Sequence, residues 1–465
     1  MVTEELYIIA IELGSSKMTG IGGKRLADGS FEIKGLAVEN SSAFMRNGAI
    51  FNLDKAVNSV KKIISDLEGQ LERTVTQVYI GNGGQGLHSI NKAVSRRFET
   101  VKPISPEVVS ELMNENSNMD LDNLEILEAV AQEYSVGTQK QIDPVGVLSD
   151  HIEGHFVNIV ARPSLRGSIN DCMKQVGKGI VEYKCTPLTV ADEVLSNDDK
   201  RSGCVLVDFG ADTTAVSIYK GGLLRYLSVI PLGSGSITKD IASLQMTESD
   251  AEQLKVSYGY TGGGLADVEG ELTAYTLSDG EIITKRVLAE VIDARLEEIM
   301  VNVKDQITAS NYPPNLLMGG AVLIGGGANL KNITLAFKNF VPGISKVSVV
   351  KSTQTNVRIQ AVKGPLRSSL ENGAFIAAIS ILAKGKQPCT GIITEDRKPE
   401  DLFNDTTSAG QEHVTPSIDE PAVATVETAS EVKKPKKPKK PKGPGVMSRA
   451  WKWIKDFADE VAEDD

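Results

Sequence analysis

Short apolar runs that stop at glycine open the chain. Residues 6–13, 17–22 and 31–38 are separated by Gly-rich turns, and this spacing predicts three strands of a β-meander. Residues 54–71 carry apolar side chains at helical intervals, and residues 75–80 return to a strand pattern. The beginning of the chain therefore has the mixed pattern of an α/β domain.

Residues 85–165 have the pattern of an inserted unit. The segment begins like a strand. Its further elements are a helix near 105–113, a polar joint at 114–123 and strands that end at 156–160. We expect this insertion to form a subdomain of its own.

The rest of the folded part continues the alternation of helices and strands, and residues 204–209 have its most strongly apolar strand pattern. The other predicted elements are a helix at 168–176, a helix at 237–244, a polar Gly-rich segment at 251–280 with a hairpin turn at Asp279-Gly280, an amphipathic helix at 282–307 and a strand at 321–324. From about residue 385 to 445 the composition changes to Pro, Thr, Glu, Ser and Lys. This change predicts disorder, because too few apolar side chains remain to bury a core.

Two segments share one chemical pattern. Residues 8–17 read Ile-Ile-Ala-Ile-Glu-Leu-Gly-Ser-Ser-Lys, and residues 205–214 read Val-Leu-Val-Asp-Phe-Gly-Ala-Asp-Thr-Thr. Each is a buried strand that leads into an acid, one further residue, a glycine and small polar residues. One strand-Gly-strand hairpin is common in folded proteins. Two copies, 196 positions apart from Glu12 to Asp208, suggest duplicated halves that close on one nucleotide.

The two hairpins supply the groups that a nucleotide phosphate needs. Glycine lets the main chain turn tightly beside the phosphate, and successive N–H groups form an anion-binding concavity. Hydroxyl groups add hydrogen bonds, a lysine adds a point charge, and an acid at the strand end can hold the waters of Mg²⁺. The candidate phosphate ligands are Gly14, Ser15, Ser16, Lys17, Gly210, Ala211, Asp212, Thr213 and Thr214, and the candidate magnesium residues are Glu12 and Asp208.

Two further Gly-rich segments fit the same site. The strand at 321–324 leads towards Gly326, Gly327 and Ala328, where a flat base can pack. The residues Gly233, Ser234 and Gly235 open a predicted helix, whose N-terminus attracts phosphate. The chain has no GxxxxGK[ST] sequence, which excludes a P-loop. The Gly-rich run at 81–86 looks like a dinucleotide fingerprint but lacks the following helix, so we interpret it as a turn.

Composition narrows the classes of function. The hydrophobic fraction of 41% and the charged fraction of 24% are typical of a globular protein, and the net charge of −11 argues against a general nucleic-acid binder. Residues 433–455 contain ten Lys or Arg and no acid, which leaves about −21 on the rest of the chain. No apolar stretch is long enough to span a bilayer and no signal peptide is evident, so we expect any membrane contact to be peripheral.

The four cysteines, Cys172, Cys185, Cys204 and Cys389, lack metal-ligand or CxxC spacing. Cys204 opens an apolar run and is expected to fill a core, as in a protein of the reducing cytoplasm.

The paired hairpins and the Gly-rich adenosine loop resemble those of the actin, Hsp70 and sugar-kinase superfamily. Within it, the chain is similar to the FtsA family of bacterial division proteins over residues 5–385 and the last twenty residues. The segments that carry this resemblance are Gln132-Glu133-Tyr134 and residues 142–147, 251–255, 288–295 and 371–374.

The resemblance implies an α/β, actin-like two-lobed fold with duplicated ribonuclease-H-like halves and an inserted subdomain. It implies lobe 1A at 1–84 and 166–194, subdomain 1C at 85–165, lobe 2A at 195–242 and 310–385, subdomain 2B at 243–309, a disordered Lys/Pro-rich linker at 386–445 and an amphipathic helix at 446–465.

The resemblance also implies ligands and a partner. ATP and Mg²⁺ are expected between the lobes, with Glu252 and Lys255 near the ribose. The C-terminal peptide of the tubulin-like division protein FtsZ is expected at the smaller subdomain, around Arg295. From the residues alone, the segment 288–300 is better described as a packed helix with a solvated charged face.

One residue departs from the superfamily pattern. The first hairpin usually carries Asp where this chain has Glu12, and the longer side chain moves the carboxylate by about one C–C bond, which can alter Mg²⁺ hydration. No residue stands out as a general base, and Asp192 and Glu193 are loose candidates. We therefore expect tight ATP binding with slow or negligible turnover, so that the nucleotide acts as a conformational and polymerisation ligand.

The last residues predict a helix that lies on a membrane. On a helical wheel one arc is apolar, with Trp453 at its edge, and its members are Met447, Ala450, Trp451, Ile454, Phe457, Ala458 and Val461. Tryptophan suits the headgroup boundary, and the Lys-Pro repeat at 433–442 adds attraction to anionic lipids. A helix docked on the protein itself and a basic run that binds nucleic acid are the weaker alternatives.

Together with these patterns, the resemblance implies an ATP-binding adaptor that polymerises on the inner face of the cytoplasmic membrane at the division site, anchors FtsZ filaments and recruits later division proteins. The enzymatic alternative is a sugar or polyol kinase of the same superfamily, which would need a catalytic Asp in an inter-lobe pocket. An Hsp70-like chaperone would need a folded peptide-binding domain. An MreB-like filament would lack the insertion and the long tether.

Overall fold

The computed structural model of the chain describes residues 6–262, 274–276, 282–359, 367, 370 and 373–391. Residues 1–393 form one compact unit, and residues 394–465 form a second unit that lies outside the described residues. The predicted membrane residues Met447, Trp451, Trp453, Ile454 and Phe457 belong to this second unit. None of the described helices is long and apolar enough to cross a membrane.

The strands along the chain are β1 (Tyr7–Leu13), β2 (Lys17–Arg25), β3 (Phe31–Asn40), β4 (Met45–Arg46), β5 (Ala49–Ile50), β6 (Gln77–Asn82), β7 (His88–Pro103), β8 (Glu125–Val136), β9 (Gln139–Gln141), β10 (Leu148–Ala161), β11 (Gly179–Cys185), β12 (Cys204–Phe209), β13 (Thr214–Lys220), β14 (Leu223–Ile230), β15 (Ala274–Thr276), β16 (Ile282–Thr284), β17 (Gly320–Ile324), β18 (Val347–Val349) and β19 (Val357–Arg358). The helices are α1 (Leu53–Leu71), α2 (Pro106–Ser117), α3 (Pro163–Val176), α4 (Thr186–Val194), α5 (Asn197–Ser202), α6 (Ser234–Ala242), α7 (Glu248–Tyr258), α8 (Lys285–Ala309), α9 (Ile333–Phe340) and α10 (Ile376–Ala383), and short 3₁₀ turns occur at Pro314–Leu316 and Gly326–Asn329.

Six strands form the first sheet, in the order β11-β6-β1-β2-β3-β19. The predicted meander is confirmed, because β1, β2 and β3 are antiparallel neighbours. Helix α1 begins after Asn52, whose side chain accepts a hydrogen bond from the N–H of Lys55 and so caps the helix. The helix buries Ile63 and Leu67 in the core of this sheet, beside Gly20 of β2, where a β-carbon would lie 2.2 Å from Ile63.

Nine strands form the second sheet, in the order β18-β17-β12-β13-β14-β7-β10-β8-β9. Strand β12 is the buried strand that the apolar pattern predicts, and in it only Asp208 keeps part of its surface exposed. Strand β17 runs parallel to β12 and places Ile324 beside Asp208. The two duplicated strands, β1 and β12, thus lie in different sheets, and each ends at one of the candidate phosphate turns.

The strands of the insertion extend the second sheet. Strand β7 pairs with β14 through His88 and Ser228, and β10 and β8 follow beyond it. At this junction Nη2 of Arg225 donates to Oε1 of Glu133 at 2.9 Å, and Nη1 donates to Oε1 of Gln132 at 3.3 Å. The Gln132-Glu133 pair that stands out in the sequence therefore ties the insertion to β14.

Two predicted helix starts, those of α8 and α6, are wrong, and helix α7 was not predicted. Helix α8 begins at Lys285 and not at 282, because Thr284 caps its N-terminus and β16 pairs with β15 in the predicted hairpin. Helix α6 begins at Ser234 and not at 237, so the Gly-Ser-Gly segment is its first turn. Helix α7 occupies the start of the segment expected to be polar and Gly-rich, with Thr247 as its cap.

The end of the described chain packs on the first sheet. Helix α10 contacts β1, β2 and β6, and β19 pairs with β3, although residues 310–385 were expected to belong to the second lobe. Cys389 is fully buried, and its N–H donates to the carbonyl of Tyr7 at 2.8 Å. Thr390 forms a β-bridge with Val75. Residues 386–391 are thus packed on the domain, and the linker predicted from 386 starts too early.

Candidate functional site

The two duplicated hairpin turns have the same local geometry. A β-carbon added to Gly14 would lie 2.5 Å from the carbonyl oxygen of Lys17, and one added to Gly210 would lie 2.7 Å from that of Thr213. In both turns the carbonyl oxygen of the residue three positions later lies against the glycine, so a side chain at the glycine position would not fit. The repeat seen in the sequence is therefore also a repeat of main-chain geometry.

Main-chain donors are available at both turns. Among the described residues, the N–H groups of Ser15, Ser16 and residues 211–213 donate to no protein acceptor. Polar main-chain groups that lack a protein partner require water or a ligand. Five such donors on two glycine turns fit the oxygens of a polyphosphate.

Glu12 and Asp208 occupy equivalent positions, each the last but one residue of its strand. Burial raises the pKa of Glu12 to about 7, opposed by the charge of Lys17 and reinforced by that of Asp208. Burial also raises the pKa of Asp208 to about 6. A divalent cation would restore the charged form of both acids, because its field outweighs the burial that raises their pKa values.

The donor set around these acids suits a hydrated magnesium ion. The described part of the chain contains no group of three or more His, Cys, Asp or Glu that could hold a metal ion. Mg²⁺ commonly keeps several waters and is bound through one or two carboxylates plus substrate phosphates. Glu12 and Asp208 fit that role, with water and phosphate as the remaining ligands.

The side chains of the first hairpin have specific positions. Both carboxylate oxygens of Glu12 lie 3.2 Å from where a β-carbon of Gly14 would be, so the longer acid lies close to this turn. Nζ of Lys17 donates to the carbonyl of Ala374 at 2.9 Å and lies 4.2 Å from the centroid of the Phe375 ring. Burial lowers the pKa of Lys17, opposed by Glu12. Lys17 thus connects the hairpin to the residues before α10.

The Gly233-Ser234-Gly235 segment packs directly on the second hairpin. The N–H of Ser234 donates to the carbonyl of Gly210 at 2.9 Å, and the N–H of Gly235 donates to that of Ala211 at 2.7 Å. A β-carbon on Gly233 would lie 2.4 Å from the same carbonyl oxygen of Ala211. The first turn of α6 therefore approaches the hairpin as closely as glycine allows.

The glycines after β17 complete this side of the site. Gly325 has a φ of +87°, and a β-carbon on Gly327 would lie 3.1 Å from Cβ of Ser234. Ala328 is buried. Above Gly326 no atom lies within 4 Å of the position of a β-carbon. The segment is thus held against the second hairpin and the start of α6 while Gly326 faces open space, as a site for a flat base requires.

Glu252 and Lys255 lie on α7, and the amine of Lys255 contacts the first turns of α6. Nζ of Lys255 donates to the carbonyl of Ser234 at 3.1 Å and to Oγ1 of Thr238 at 2.7 Å, and it pairs with Glu252 at 2.7 Å. Only 11% of the Lys255 side chain is exposed. The structure therefore brings the two predicted ribose residues together with the Gly233–Gly235 segment.

The turn at Asn47-Gly48 was missed from the sequence. It forms the two-residue connection between β4 and β5, with φ angles of 51° and 73°. The N–H of Gly48 donates to Oγ of Ser15 at 2.8 Å, and the N–H of Asn47 donates to Oδ2 of Asp212 at 3.0 Å. The turn thus joins the two hairpins. The Asn-Gly dipeptide is the signal that could have revealed the turn itself.

Arg295 lies apart from this site, on α8. Its Nε and Nη2 donate to the two carboxylate oxygens of Asp240 at 2.5 and 2.9 Å, and Nη1 pairs with Glu298. Hydrogen bonding to Asp240 raises the pKa of Arg295. An acidic peptide that binds Arg295 would have to compete with two carboxylates of the chain itself.

Asp192 and Glu193 do not have the surroundings of a general base. Asp192 pairs with Lys200 at 2.8 Å and with Lys384 at 3.2 Å. Glu193 accepts a hydrogen bond from the N–H of Thr355 at 3.2 Å. Both acids thus connect α4 to neighbouring segments.

Comparisons with known proteins match this chain to one protein family in part of its length. The family model described as "Cell division protein FtsA" matches residues 205–380. Two relatives, both named cell division protein FtsA, are each 27% identical. The protein from Porphyromonas gingivalis aligns over 83% of this chain and 79% of its own length, and the one from Neisseria meningitidis over 72% and 81%.

One solved structure, described as a PilM-PilN type IV pilus biogenesis complex, has the same fold. It superposes with a TM-score of 0.56 over 82% of this chain and 99% of its own, at 15% sequence identity. This likeness concerns the fold, which is the actin-like α/β architecture that the resemblance implies.

Proposed function

We propose that the chain, which matches the family model of cell division protein FtsA over residues 205–380, is a member of that family, binds ATP and Mg²⁺ between its two sheets and acts as an actin-like adaptor in division. The single observation that carries nucleotide binding is the convergence of the second hairpin, the start of α6 and the glycines after β17, with the first hairpin joined to them through Asn47-Gly48. The family match favours this role over a sugar or polyol kinase.

In this proposal each element has a defined task. The free N–H groups of the turns at Gly14 and Gly210 hold the phosphates, the open face of Gly326 receives the base, and Lys255 and Glu252 contact the ribose. Glu12 and Asp208 hold the hydration shell of Mg²⁺, which supplies charge neutralisation to the phosphates when it is bound. The remaining candidates lie in these turns or pack beside them: Ser15, Ser16, Lys17, Ala211, Asp212, Thr213, Gly233, Ser234, Gly235, Gly327 and Ala328. Thr214, also a candidate from the sequence, is instead buried at the start of β13, where its Oγ1 donates to the carbonyl of Leu232 at 2.7 Å.

Turnover of the bound nucleotide is proposed to be slow. A hydrolase needs a group positioned to orient or deprotonate the attacking water. The two acids considered for that task, Asp192 and Glu193, are engaged by Lys200, Lys384 and Thr355. ATP would then act mainly by favouring one conformation of the protein and hence its assembly. Rapid steady-state phosphate release from the purified protein would overturn this part of the proposal.

Nucleotide binding is tested by calorimetric titration of the full chain with ATP in the presence of Mg²⁺. Gly210→Ala should weaken ATP binding by at least about tenfold, because its β-carbon collides with the carbonyl of Thr213 and displaces the turn. Gly69→Ala on α1 is the matched control, since nothing lies within 4 Å of its β-carbon. Wild-type protein that binds no ATP would rule out the nucleotide site.

The proposed partners are FtsZ, further copies of this chain, anionic lipids and later division proteins, at the cytoplasmic face of the cell membrane. The apolar arc of residues 446–461 supports a peripheral anchor, and the lysines upstream add roughly 1 kcal/mol each near an anionic surface. Since a single short helix binds reversibly, assembly of many copies would make the attachment stable.

The membrane role is tested with anionic lipid vesicles and monolayers. The full chain should co-sediment with vesicles, whereas Trp451→Asp and a chain that ends at residue 391 should remain in the supernatant with ATP binding intact. Electron microscopy of lipid monolayers in the presence of ATP should show polymers of the full chain and no polymers of the shortened chain. Co-sedimentation of the shortened chain at the wild-type level would contradict the anchor.

A further inference from the structure

The Asn47-Gly48 turn connects the two candidate phosphate hairpins through two consecutive main-chain donors. The N–H of Asn47 donates to Oδ2 of Asp212 at 3.0 Å, and the N–H of Gly48 donates to Oγ of Ser15 at 2.8 Å. Asp212 lies in the second hairpin turn, and Ser15 lies in the first. One two-residue turn is therefore bonded to both hairpins at the point where they face each other.

The position of this turn is fixed from the other side. The N–H of Gln85 donates to the carbonyl of Asn47 at 2.7 Å, and Nδ2 of Asn47 donates to Oε1 of Gln85 at 2.7 Å. A β-carbon on Gly48 would lie 2.4 Å from Cα of Gly84, so main chain packs against main chain there. The two N–H groups of the turn thus point in directions that the surrounding chain determines.

The groups that accept these two hydrogen bonds are oxygens, a carboxylate on one side and a hydroxyl on the other. A phosphoryl oxygen is an acceptor of the same kind and the same sign of charge as the Asp212 carboxylate. Asp212 also stands among the free N–H groups of residues 211–213, where a phosphate is proposed to bind. A phosphate that reaches the Asn47 N–H must therefore displace Asp212 and experiences its repulsion.

We propose that the Asn47-Gly48 turn is a further phosphate-binding element and that Asp212 determines the preference between nucleoside triphosphate and diphosphate. The terminal phosphate of a triphosphate takes the place of Asp212 on the Asn47 N–H and releases the bond between the hairpins. A diphosphate, which is shorter, leaves this bond intact. This inference rests on the proposed nucleotide site, because it assigns residues within it.

The test compares affinities for ATP and ADP, each with Mg²⁺, measured by calorimetry on the full chain. Asp212→Asn keeps an oxygen for the Asn47 N–H but removes the charge, so ATP affinity should rise about tenfold while ADP affinity changes less than about twofold. Asp198→Asn is the matched control, because it removes the same charge from a side chain that is 90% exposed.

A second variant tests the turn from the opposite direction. Gly48→Ala pushes the turn away from the hairpins, since its β-carbon meets Gly84, and it should weaken ATP binding while ADP binding is retained. Circular dichroism checks that each variant is folded, and Asp212→Asn alone decides the question if Gly48→Ala does not fold.

The outcomes separate this inference from the function on which it rests. Equal changes in ATP and ADP affinity for Asp212→Asn, or no change in either, would overturn the role of Asp212 while the nucleotide site stands. Wild-type protein that binds neither nucleotide would overturn both.

Discussion

The carboxylate of Asp208 packs against Gly325, in the space that a side chain at position 325 would fill. A β-carbon on Gly325 would lie 2.4 Å from Oδ1 of Asp208, and the φ of Gly325 is +87°. The carboxylate thus occupies the space that any other residue at 325 would need. This contact joins the end of β12 to the glycines after β17.

The first prediction concerns these glycines. Gly325→Ala should lower the free energy of unfolding by at least about 1 kcal/mol, because a side chain at positive φ is strained and also collides with Asp208. Gly326→Ala is the control, because it has open space and no positive φ, and it should change stability by less than about 0.5 kcal/mol. Urea unfolding of both variants provides the comparison, and equal effects would show that the Asp208 contact has no energetic weight.

The second prediction concerns pH. The folded state holds a proton on Glu12 up to about pH 7, whereas the unfolded chain loses it near 4.5. Between these values the folded state binds more protons than the unfolded state, so raising the pH across this window lowers stability. Because one pKa unit corresponds to about 1.4 kcal/mol, the loss is roughly 3 kcal/mol at most.

Glu12→Gln removes this titration. In buffer with EDTA, the stability of the variant relative to wild type should increase as the pH rises from 4.5 to 7. Thermal unfolding at a series of pH values measures the difference, with Asp198→Asn as a control of equal charge change on an exposed residue. A difference between variant and wild type that stays constant with pH would mean that Glu12 is not protonated in the folded protein.

The third prediction concerns the proposed binding of the FtsZ peptide. Asp240 neutralises Arg295 with two hydrogen bonds, so Asp240→Ala should free the guanidinium and strengthen binding of the FtsZ C-terminal peptide several-fold, by roughly 1 kcal/mol. Arg295→Ala should abolish it. Arg286→Ala on the same helix removes an arginine that is paired with Glu290 and serves as the control. Fluorescence anisotropy with a labelled peptide measures all three, and weaker binding by Asp240→Ala would mean that Arg295 needs this pair to keep its position.

The fourth prediction concerns the cysteines. All four are free and buried, and burial raises the pKa of Cys185 and Cys204 to about 12 and that of Cys172 and Cys389 to about 11. Because only the thiolate reacts, native protein should leave all four unmodified by a thiol reagent at pH 8 over minutes, whereas denatured protein reacts at once. A fast-reacting thiol in native protein would show that one of these regions opens locally.

The sequence made the local elements predictable. Helix α1 and strand β12 followed from the spacing of apolar residues, which depends on few neighbours. The hairpin turns could also be predicted, since glycine is the residue that a tight turn favours. At positions 14 and 210 the carbonyl oxygen three residues later leaves no room for a side chain. The boundaries that were wrong, at α6 and α8, depend on which residue caps the helix, and several candidates stand next to each other there.

Other features depend on contacts between residues far apart in the chain. The Asn-Gly dipeptide at 47–48 indicates a tight turn, but its bond to Asp212 spans 165 positions and is invisible in the sequence. The same holds for Arg225, which reaches back 92 positions to Glu133 and joins the insertion to the second sheet. Such pairs are decided by how the sheets pack, and a single sequence does not record that.

The sequence by itself thus determined the two glycine turns, the buried strands that carry them and the burial of Cys204, because these depend on local geometry and on hydrophobicity. Only the tertiary structure decided that α10 and residues 386–391 pack on the first sheet, that Arg295 is engaged by Asp240, and that the two turns meet at Asn47-Gly48. The physical reason is that side-chain and main-chain groups find partners across the whole core, where many arrangements fit the same local pattern and packing selects one.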